Sequence, residues 1–450
     1  MANEPVQNAC PDAPDGAAGI CGSNPVGGAS ASRGSNLPSS APEPCDARAS
    51  AGASASAYVP DAPGGALAAH VGPIDPIDPE GEAGHLAYGD ALFRKKRRRG
   101  HRVVARPALE GPVADSHTHL DMLSDPALAL ARCAVGRVDF ICTVCDPSED
   151  ARRTYESLPL WRSEALRRLP DVFAATRRSI ERARQEAASD PQALGVEAIP
   201  GSDDLSADEA ASQRCPCDVA VPRVRVACGV HPHNAHAWSA SLEAELLRLL
   251  ARPETSVLGE AGLDYYYDLS PRDMQREVFR RQVEIARIAG LPLMLHLRDA
   301  AQTGRHERSA HEDAFDILES AGWPAAGVLI HCCSVGPDEL GPWIERGVFA
   351  AFGGALTFKN ADAIRASCAI VPRGRLLFET DAPYMTPVPF RGQENGPDHI
   401  VFTAHRAAAV VGADSGASRA RFLSEVHETT LGFEDRGPTS WQLSQGENHA

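Results

Sequence analysis

The sequence predicts an α/β protein built on a (β/α)8 TIM barrel, in which eight parallel strands alternate with helices around a closed sheet. Residues 111–433 contain eight short apolar runs of strand length, separated by longer amphipathic segments. This alternation is typical of a parallel barrel. Six of the runs end in carboxylate or imidazole side chains. Active sites of such barrels lie at the carboxyl ends of the strands, so we expect a functional site there.

The predicted strands share a core of Val, Ile, Leu, Phe and Ala bounded by turn-forming residues. They are 111-GPVADSH, 137-RVDFICTVC, 223-RVRVACGVHP, 255-TSVLGEAGLD, 291-LPLMLHLRD, 327-GVLIHCC, 347-GVFAAFGGAL and 375-RLLFETDAP. The segments 274-MQREVFRRQVEIARIAG and 312-EDAFDILESAGW have the apolar spacing of amphipathic helices. Gly290 stands where the first of these helices should end, because glycine adopts the left-handed C-cap conformation readily.

The N-terminal arm, residues 1–110, is rich in Ala, Ser, Gly and Pro and has little apolar periodicity. We expect it to be disordered, because such a composition buries too little apolar surface to offset the entropy of ordering. The arm ends in the basic cluster 94-RKKRRRGHR-102. This cluster is either an electrostatic contact for nucleic acid or a solvated run of charge.

The barrel domain is predicted to span residues 111–433, with an insert at about residues 150–222. The first part of the insert, including 173-FAATRRSIERARQEAAS, is predicted to be helical, and residues 189–217 to form a mobile loop. Residues 434–450 are polar and are expected to be a flexible tail.

Bulk composition restricts the class of protein. The 450 residues contain neither an apolar run long enough for a membrane span nor a signal-like N-terminus, so we expect a cytoplasmic protein without membrane contact. The net charge of −16 argues against a generally basic nucleic-acid surface, but leaves open a site that grips phosphate locally through metal ions. The 12 cysteines show no disulfide framework, so most are expected to be reduced.

The stretch 114-ADSHTHLDM-122 contains the first candidate site. Side chains two apart in a strand point to the same side, so His117 and His119 should lie together at the end of the first strand. Alone, this pair is ambiguous, because it fits two metal ligands as well as two polar residues at a strand exit.

Later strands supply matching groups, namely Glu260, His296, His331 and Asp381, each following a short apolar run. Six imidazoles and carboxylates at one mouth are hard to explain by packing. Glu260 and Asp381 would repel each other there unless protons or cations compensated their charge. A pair of divalent metal ions would do so and would use the histidines as well.

In combination and order, the motifs resemble those of the TatD family of metal-dependent deoxyribonucleases, which are amidohydrolase-type barrels. The matching motifs are 115-DSHTH, 229-GVHP, 259-GEAGLDYY, 296-HLRD, 331-HC, 379-ETDAPY and 388-VPFRGQENGP. The resemblance covers residues 111–433 apart from the insert.

The resemblance implies a centre with two divalent ions, which could be Mg²⁺, Mn²⁺ or Zn²⁺. His117, His119 and Asp381 would hold one ion, His296 and His331 the other, and Glu260 would bridge them. The predicted substrate contacts, all to phosphate, are His231, Arg298 and Arg391. For Arg298, a structural ion pair is an equal alternative.

The implied activity is hydrolysis of DNA phosphodiester bonds, as a 3'-5' exonuclease on single-stranded ends. Glu260 and Asp381 would be the catalytic residues, with Asp381 also relaying the proton of the attacking water. The same centre could instead hydrolyse an ester or amide, such as an aminoacyl ester on RNA, and a non-catalytic scaffold is a third possibility. We expect DNA as the substrate, no obligate protein partner and a monomer.

Other polar side chains are given simpler roles. The tyrosines of 265-YYY either stack on a base or line the rim of the barrel. His233 and His236 are expected on the surface of a loop, and His306 and His311 are expected to be solvated.

Overall fold

The computed structural model describes residues 86, 88–96, 98, 101–149, 151–189, 205–300 and 308–447. The predicted disorder of residues 1–85, most of the predicted mobile loop, and His306 therefore lie outside the described residues.

The described residues contain a two-stranded antiparallel hairpin and one eight-stranded sheet. The hairpin consists of β1 (Phe93–Lys96) and β2 (His101–Val104). The sheet consists of β3 (Val113–Thr118), β4 (Val138–Cys145), β5 (Arg223–Cys228), β6 (Thr255–Asp264), β7 (Leu293–Arg298), β8 (Val328–Ile330), β9 (Phe349–Phe352) and β10 (Leu376–Phe378).

The eight strands of the sheet are parallel and follow one another in chain order. The first and last strands meet just beyond β10, where Thr118 pairs with Ala382 in a parallel bridge. The backbone N–H of Asp381 donates to the carbonyl of His117 at 2.8 Å, and that of His119 donates to the carbonyl of Ala382 at 2.8 Å. The sheet therefore closes at its carboxyl end, and the predicted (β/α)8 barrel is confirmed.

Eleven α-helices are present in the described part of the chain. They are α1 (Pro126–Gly136), α2 (Ala151–Ser189), α3 (Ser206–Ser212), α4 (Ala240–Leu250), α5 (Arg272–Ala289), α6 (Ala310–Ala321), α7 (Pro337–Glu345), α8 (Asp362–Ile370), α9 (Ile400–Val410), α10 (Gly416–Glu434) and α11 (Ser440–Glu447).

Helix ends follow local sequence signals. Gly290 ends α5 in the left-handed conformation, with φ of 66°, as predicted. Ser309 and Glu312 form a reciprocal capping box at the start of α6, which satisfies backbone N–H groups that a helix leaves unpaired.

The interior of the barrel is a compact apolar cluster with a contribution from every strand of the sheet. Its members include Ala114, Phe140, Cys142, Ala227, Val257, Met294, Leu329, Ala351 and Leu377. Side chains that alternate with these pack outward against the helices in a second, larger cluster. The polar site residues lie above the apolar interior, at the carboxyl ends of the strands.

The predicted boundary of the disordered arm at residue 110 is wrong, because residues 93–96 and 101–110 are ordered in the structure. Leu92, Phe93, Val104 and Ala105 are all completely buried in and beside the hairpin. These apolar residues are few, so they hardly change the average composition of residues 1–110 on which the prediction of disorder is based. Nor is the basic cluster simply a solvated run, because the buried Arg94 pairs with Asp90 at 2.6 Å.

A buried arginine of α1 connects the hairpin region to the barrel. Arg132 is fully buried, and its Nε donates to Asp398 Oδ2 at 2.9 Å. Its Nη2 donates to the carbonyl of Leu92 at 3.1 Å, and its Nη1 donates to the carbonyl of Asp90. One guanidinium therefore connects α1, the chain entering the hairpin and the residue just before α9.

The insert is more regular than predicted. The helix predicted in its first part is confirmed and is longer, since α2 has 39 residues and buries Tyr155, Leu169 and Phe173. The predicted loop is wrong for residues 206–212, which form α3. The backbone N–H of Arg106 donates to Asp208 of α3 at 2.9 Å, a contact with a distant residue that local sequence does not reveal.

Just after α3, a disulfide joins Cys215 to Cys217, whereas the other seven described cysteines are free.

The C-terminal segment is also ordered further than expected, so the predicted flexible tail is wrong for residues 440–447. Gln442 of α11 is buried and donates its amide N–H groups to the carbonyls of Leu250 and Thr255, at 2.8 and 2.9 Å. These carbonyls lie next to the amino end of β6, so the helix is held against the bottom of the barrel.

We expect Gln442→Ala to lower the free energy of unfolding by about 1–3 kcal/mol, because it leaves buried carbonyls without their donor. Urea denaturation would measure the change. Gln445→Ala, three residues along the same helix, should change stability by less than about 0.5 kcal/mol. Equal effects of the two substitutions would contradict this role for Gln442.

Within the described residues, no helix is both long enough and apolar enough to cross a membrane.

Candidate metal centre

The six predicted ligands come together at the carboxyl mouth of the barrel, although they are far apart in sequence. His117 lies in β3, Glu260 in β6 and His296 in β7. His119, His331 and Asp381 lie just beyond the ends of β3, β8 and β10. The parallel barrel is the physical cause, because it aligns the ends of all its strands on one rim.

Glu260 is the central residue of this cluster. One oxygen, Oε1, lies 2.6 Å from His296 Nδ1 and 2.7 Å from His331 Nε2. The other oxygen, Oε2, lies 3.6 Å from His117 Nε2. The two oxygens of one carboxylate thus face the two halves of the cluster.

His117, His119 and Asp381 form the half that faces Oε2. Asp381 Oδ1 lies 3.7 Å from His117 Nε2 and 3.6 Å from His119 Nε2. The two histidine Nε2 atoms are 3.3 Å apart. Asp381 adopts a left-handed backbone conformation with φ of 54°, which is uncommon outside glycine and is tolerated best by Asp and Asn.

The electrostatics of the cluster follow from burial and from the mutual proximity of the charges. Burial by itself would raise the pKa of Glu260, but His331 and His231 hold it well below its ordinary value. Burial would lower the pKa of His331, but Glu260 and Glu379 raise it well above its ordinary value. Burial and the neighbouring His331 lower the pKa of His117. The cluster therefore keeps Glu260 ionised.

The donor set fits a metal ion better than it fits a network of hydrogen bonds. His117 Nε2 faces His119 Nε2 at 3.3 Å, and His331 Nε2 faces His296 Nδ1 at 3.4 Å. Two facing ring nitrogens form a hydrogen bond only if one of them carries a proton. If neither does, both present a lone pair, and a cation between them can accept both. Three triads have ligand atoms all within 4.8 Å of one another: His117, His119 and Glu260; His117, His331 and Asp381; and His231, Glu260 and His296. Mixed imidazole and carboxylate donors suit divalent transition metals.

Buried acids hold the histidine-bearing backbone in place. Asp115 accepts from the backbone N–H and the hydroxyl of Thr380, at 2.8 and 2.5 Å, and from the N–H of His117 at 3.3 Å. It therefore joins β3 to the segment that follows β10. Glu379 similarly accepts from the N–H of Cys332 at 2.5 Å, beside His331.

Sequence reasoning missed Asp264, which is completely buried at the end of β6. Its Oδ2 lies 2.8 Å from His233 Nε2 and 3.2 Å from His296 Nε2. Its Oδ1 accepts from the backbone N–H groups of Tyr266 and Tyr267. Burial would raise the pKa of Asp264, but the hydrogen bonds from His233 and His296 lower it. A carboxylate four residues after Glu260 at a strand end was the available signal.

We expect Asp264→Asn to weaken the affinity of the centre for metal by about 10–100-fold, because the hydrogen bond that a ligating histidine donates to such a carboxylate fixes the orientation of its ring. Metal titration of the purified variant would measure the change. Asp273→Asn on the surface of α5 is the matched control. An unchanged affinity in Asp264→Asn would contradict the orienting role.

His231, predicted as a substrate contact, lies directly beside the cluster of predicted ligands. Its Nε2 is 3.7 Å from Glu260 Oε1, and its ring centroid is 4.4 Å from that of His296. Asp146, at the end of β4, accepts from the backbone N–H of His231 at 2.8 Å.

The two predicted arginine contacts are placed differently from each other. Arg298 lies over the rings of Tyr266 and Tyr267, at 4.1 and 4.7 Å from their centroids. Among the described residues, no carboxylate forms an ion pair with Arg298. Arg391 lies 4.0 Å over the ring of Phe358, in the loop after β10.

Two expectations for other histidines are wrong. His233 is not simply on a loop surface, since it pairs with Asp264. His311 is not solvated but only 4% exposed, because it lies in the first turn of α6 against Trp343.

Comparison with known proteins shows the family to which the chain is related. A family model described as "TatD related DNase" matches residues 218–420. The uncharacterized metal-dependent hydrolase YabD of Bacillus subtilis is 36% identical over 185 residues, which are 41% of this chain and 69% of that protein. The uncharacterized metal-dependent hydrolase YcfH of Escherichia coli K12 is 37% identical over 186 residues, covering 41% of this chain and 65% of that protein.

A further relative has a more specific name. The 3'-5' ssDNA/RNA exonuclease TatD of Shigella flexneri is 31% identical over 193 residues, which are 42% of this chain and 70% of that protein. The matches thus span about two thirds of each relative and less than half of this chain. Together with the arrangement at the barrel mouth, they show that this chain belongs to the TatD family.

Proposed function

We propose that this protein uses a centre of two divalent metal ions to hydrolyse DNA phosphodiester bonds, as a 3'-5' exonuclease on single-stranded ends. His117, His119 and Asp381 would hold one ion, His296 and His331 would hold the other, and Glu260 would be a ligand shared by both. His231 serves as a substrate contact that also adjoins the second ion.

The observation that carries the proposal is the position of Glu260, whose Oε1 faces His296 and His331 while its Oε2 faces His117. A carboxylate so placed is suited to bridging two cations. The name of the Shigella flexneri relative, an exonuclease acting on single-stranded DNA and RNA, supports a nucleic-acid substrate.

A pair of divalent ions supplies a hydroxide at neutral pH and stabilises charge on a phosphoryl oxygen. The side chains of the protein do the rest. Asp381 accepts the proton of the attacking water, because its carboxylate lies at the mouth of the barrel and remains 15% exposed. His117 and His119 lie beside that carboxylate, with their Nε2 atoms 3.7 and 3.6 Å from its Oδ1.

A platform beside the cluster fits the path of a single strand. Arg298 stacks on the half-buried Tyr266 and Tyr267 and offers a cation for a phosphate. In this proposal bases stack on the partly exposed rings of Tyr266 and Tyr267, and such stacking is worth about 1–3 kcal/mol per base. Neither the phosphate contact nor the stacking depends on which base is present, which suits an exonuclease that removes nucleotides of any sequence.

The test is a nuclease assay with purified protein and a 3'- or 5'-labelled single-stranded DNA, with Mg²⁺, Mn²⁺ or Zn²⁺ and with a chelator. We expect metal-dependent shortening from the 3' end, abolished by the chelator. Aminoacylated RNA is assayed in parallel. If the protein releases the amino acid but shortens no DNA with any of the metals, DNA is not its substrate. That result would still be consistent with the proposed metal centre.

A further inference from the structure

A second group of potential ligands lies away from the centre at the barrel mouth and shares no residue with it. Asp299 directly follows β7, His311 is in the first turn of α6, and Glu339 is in the first turn of α7. Each offers one ligand atom, and these three atoms lie within 4.8 Å of one another.

His311 is the most informative member of this group. It is only 4% exposed, yet its Nδ1 has no hydrogen-bond partner among the described residues. A buried polar atom without a partner costs about 1–3 kcal/mol, so native proteins rarely leave one. A ligand supplied from outside the chain would remove that cost.

The carboxyl groups of Asp299 and Glu339 lie close together, so their negative charges repel each other unless they are compensated. Burial, together with a hydrogen bond to Asp299, raises the pKa of Glu339 to about 7. Glu312, also in the first turn of α6, adds further negative charge. Neighbouring carboxylates need a proton or a cation between them, and a pKa near neutrality means that the proton is easily displaced.

The group is also prepared for binding. Asp299 Oδ1 accepts from the backbone N–H groups of Ala310 and His311, at 2.5 and 3.4 Å, so its carboxylate is oriented in advance. Glu339 is exposed and leaves an entry path from solvent. The amino ends of α6 and α7 carry partial positive charge, which weakens cation binding, but two full carboxylate charges outweigh it.

We propose that Asp299, His311 and Glu339 form a separate site for one divalent transition-metal ion of the zinc class. One imidazole and two carboxylates are a ligand set that Zn²⁺ accepts, with water completing the coordination. The ion would connect the end of β7, which carries His296 and Arg298, to the starts of α6 and α7. Its role would be structural.

The experiment is equilibrium dialysis of the full chain against Zn²⁺, followed by metal analysis. We expect the wild type to bind one more equivalent than Glu339→Gln. Glu339 is exposed, so this variant should fold normally. His311→Gln should lose the same equivalent. Asp338→Asn is the matched control, since it removes an exposed neighbouring acid and should bind as the wild type does.

Thermal unfolding gives a second readout. Zn²⁺ at about 100 times its dissociation constant should raise the melting temperature of the wild type and of Asp338→Asn about 5 °C more than that of Glu339→Gln. The proposal is overturned if the wild type, Glu339→Gln and His311→Gln bind equal equivalents. It is equally overturned if Asp338→Asn loses as much metal as Glu339→Gln, because the binding would then follow surface charge alone.

Discussion

We expect Glu260→Gln to reduce kcat/KM for DNA hydrolysis on the order of 10⁴-fold, the size of loss seen when one member of a catalytic unit is removed. Glutamine has the shape of glutamate but lacks the charge. It would remove the negative charge that now lies 2.6 Å from His296 Nδ1 and 2.7 Å from His331 Nε2. That charge belongs to a side chain that faces both halves of the cluster.

Measuring the metal content of Glu260→Gln distinguishes the loss of a metal ligand from a general loss of folded protein. Glu260→Gln should lose at least one equivalent of metal relative to the wild type, measured by metal analysis after dialysis. Glu428→Gln on the exposed face of α10 is the matched control and should retain both activity and metal. If Glu260→Gln kept full metal content and near-normal kcat/KM, Glu260 could not bridge the centre.

The second large effect should come from Asp398→Ala, which we expect to lower the free energy of unfolding by about 3–5 kcal/mol. Asp398 and Arg132 are both completely buried, and the distance between Asp398 Oδ2 and Arg132 Nε is 2.9 Å. Removing the carboxylate leaves a buried guanidinium without its counter-charge, and that desolvation penalty is the source of the cost. Because Arg132 also binds the carbonyls of Asp90 and Leu92, the hairpin should loosen as well.

Urea denaturation of Asp398→Ala measures the loss, and an exposed ion pair provides the comparison. Arg373 and Glu425 are 3.2 Å apart, with side chains 48% and 38% exposed. Glu425→Ala should cost no more than about 1 kcal/mol, because solvent screens an exposed pair. Similar losses for Asp398→Ala and Glu425→Ala would show that the buried pair has no special role.

Much of the barrel was predictable because its signals are local. Seven of the eight strands lie within the run that the apolar pattern predicts, β3 extends one residue beyond its run to Thr118, and Gly290 ends α5 as expected. The six residues proposed as ligands could be selected for the same reason, since each follows a short apolar run whose end must lie at the rim of the barrel.

Contacts between distant residues explain the failures. The hairpin β1–β2 was assigned to a disordered arm because its few apolar residues are buried only by partners far along the chain. Asp264 was overlooked because its importance depends on His233 and His296, which other segments bring to it. His311 was expected in solvent because nothing near it in sequence reveals Trp343.

The sequence by itself determined the order of strands and helices and the kinds of side chain at the strand ends. Hydrophobic periodicity and helix caps depend only on neighbouring residues, so they can be read directly. The tertiary structure alone decided which ring nitrogens meet the oxygens of Glu260 and which acids are buried. It also decided that Arg132 would pair with Asp398, 266 positions away. Those outcomes depend on distances between atoms of remote segments, and such distances exist only once the barrel has closed.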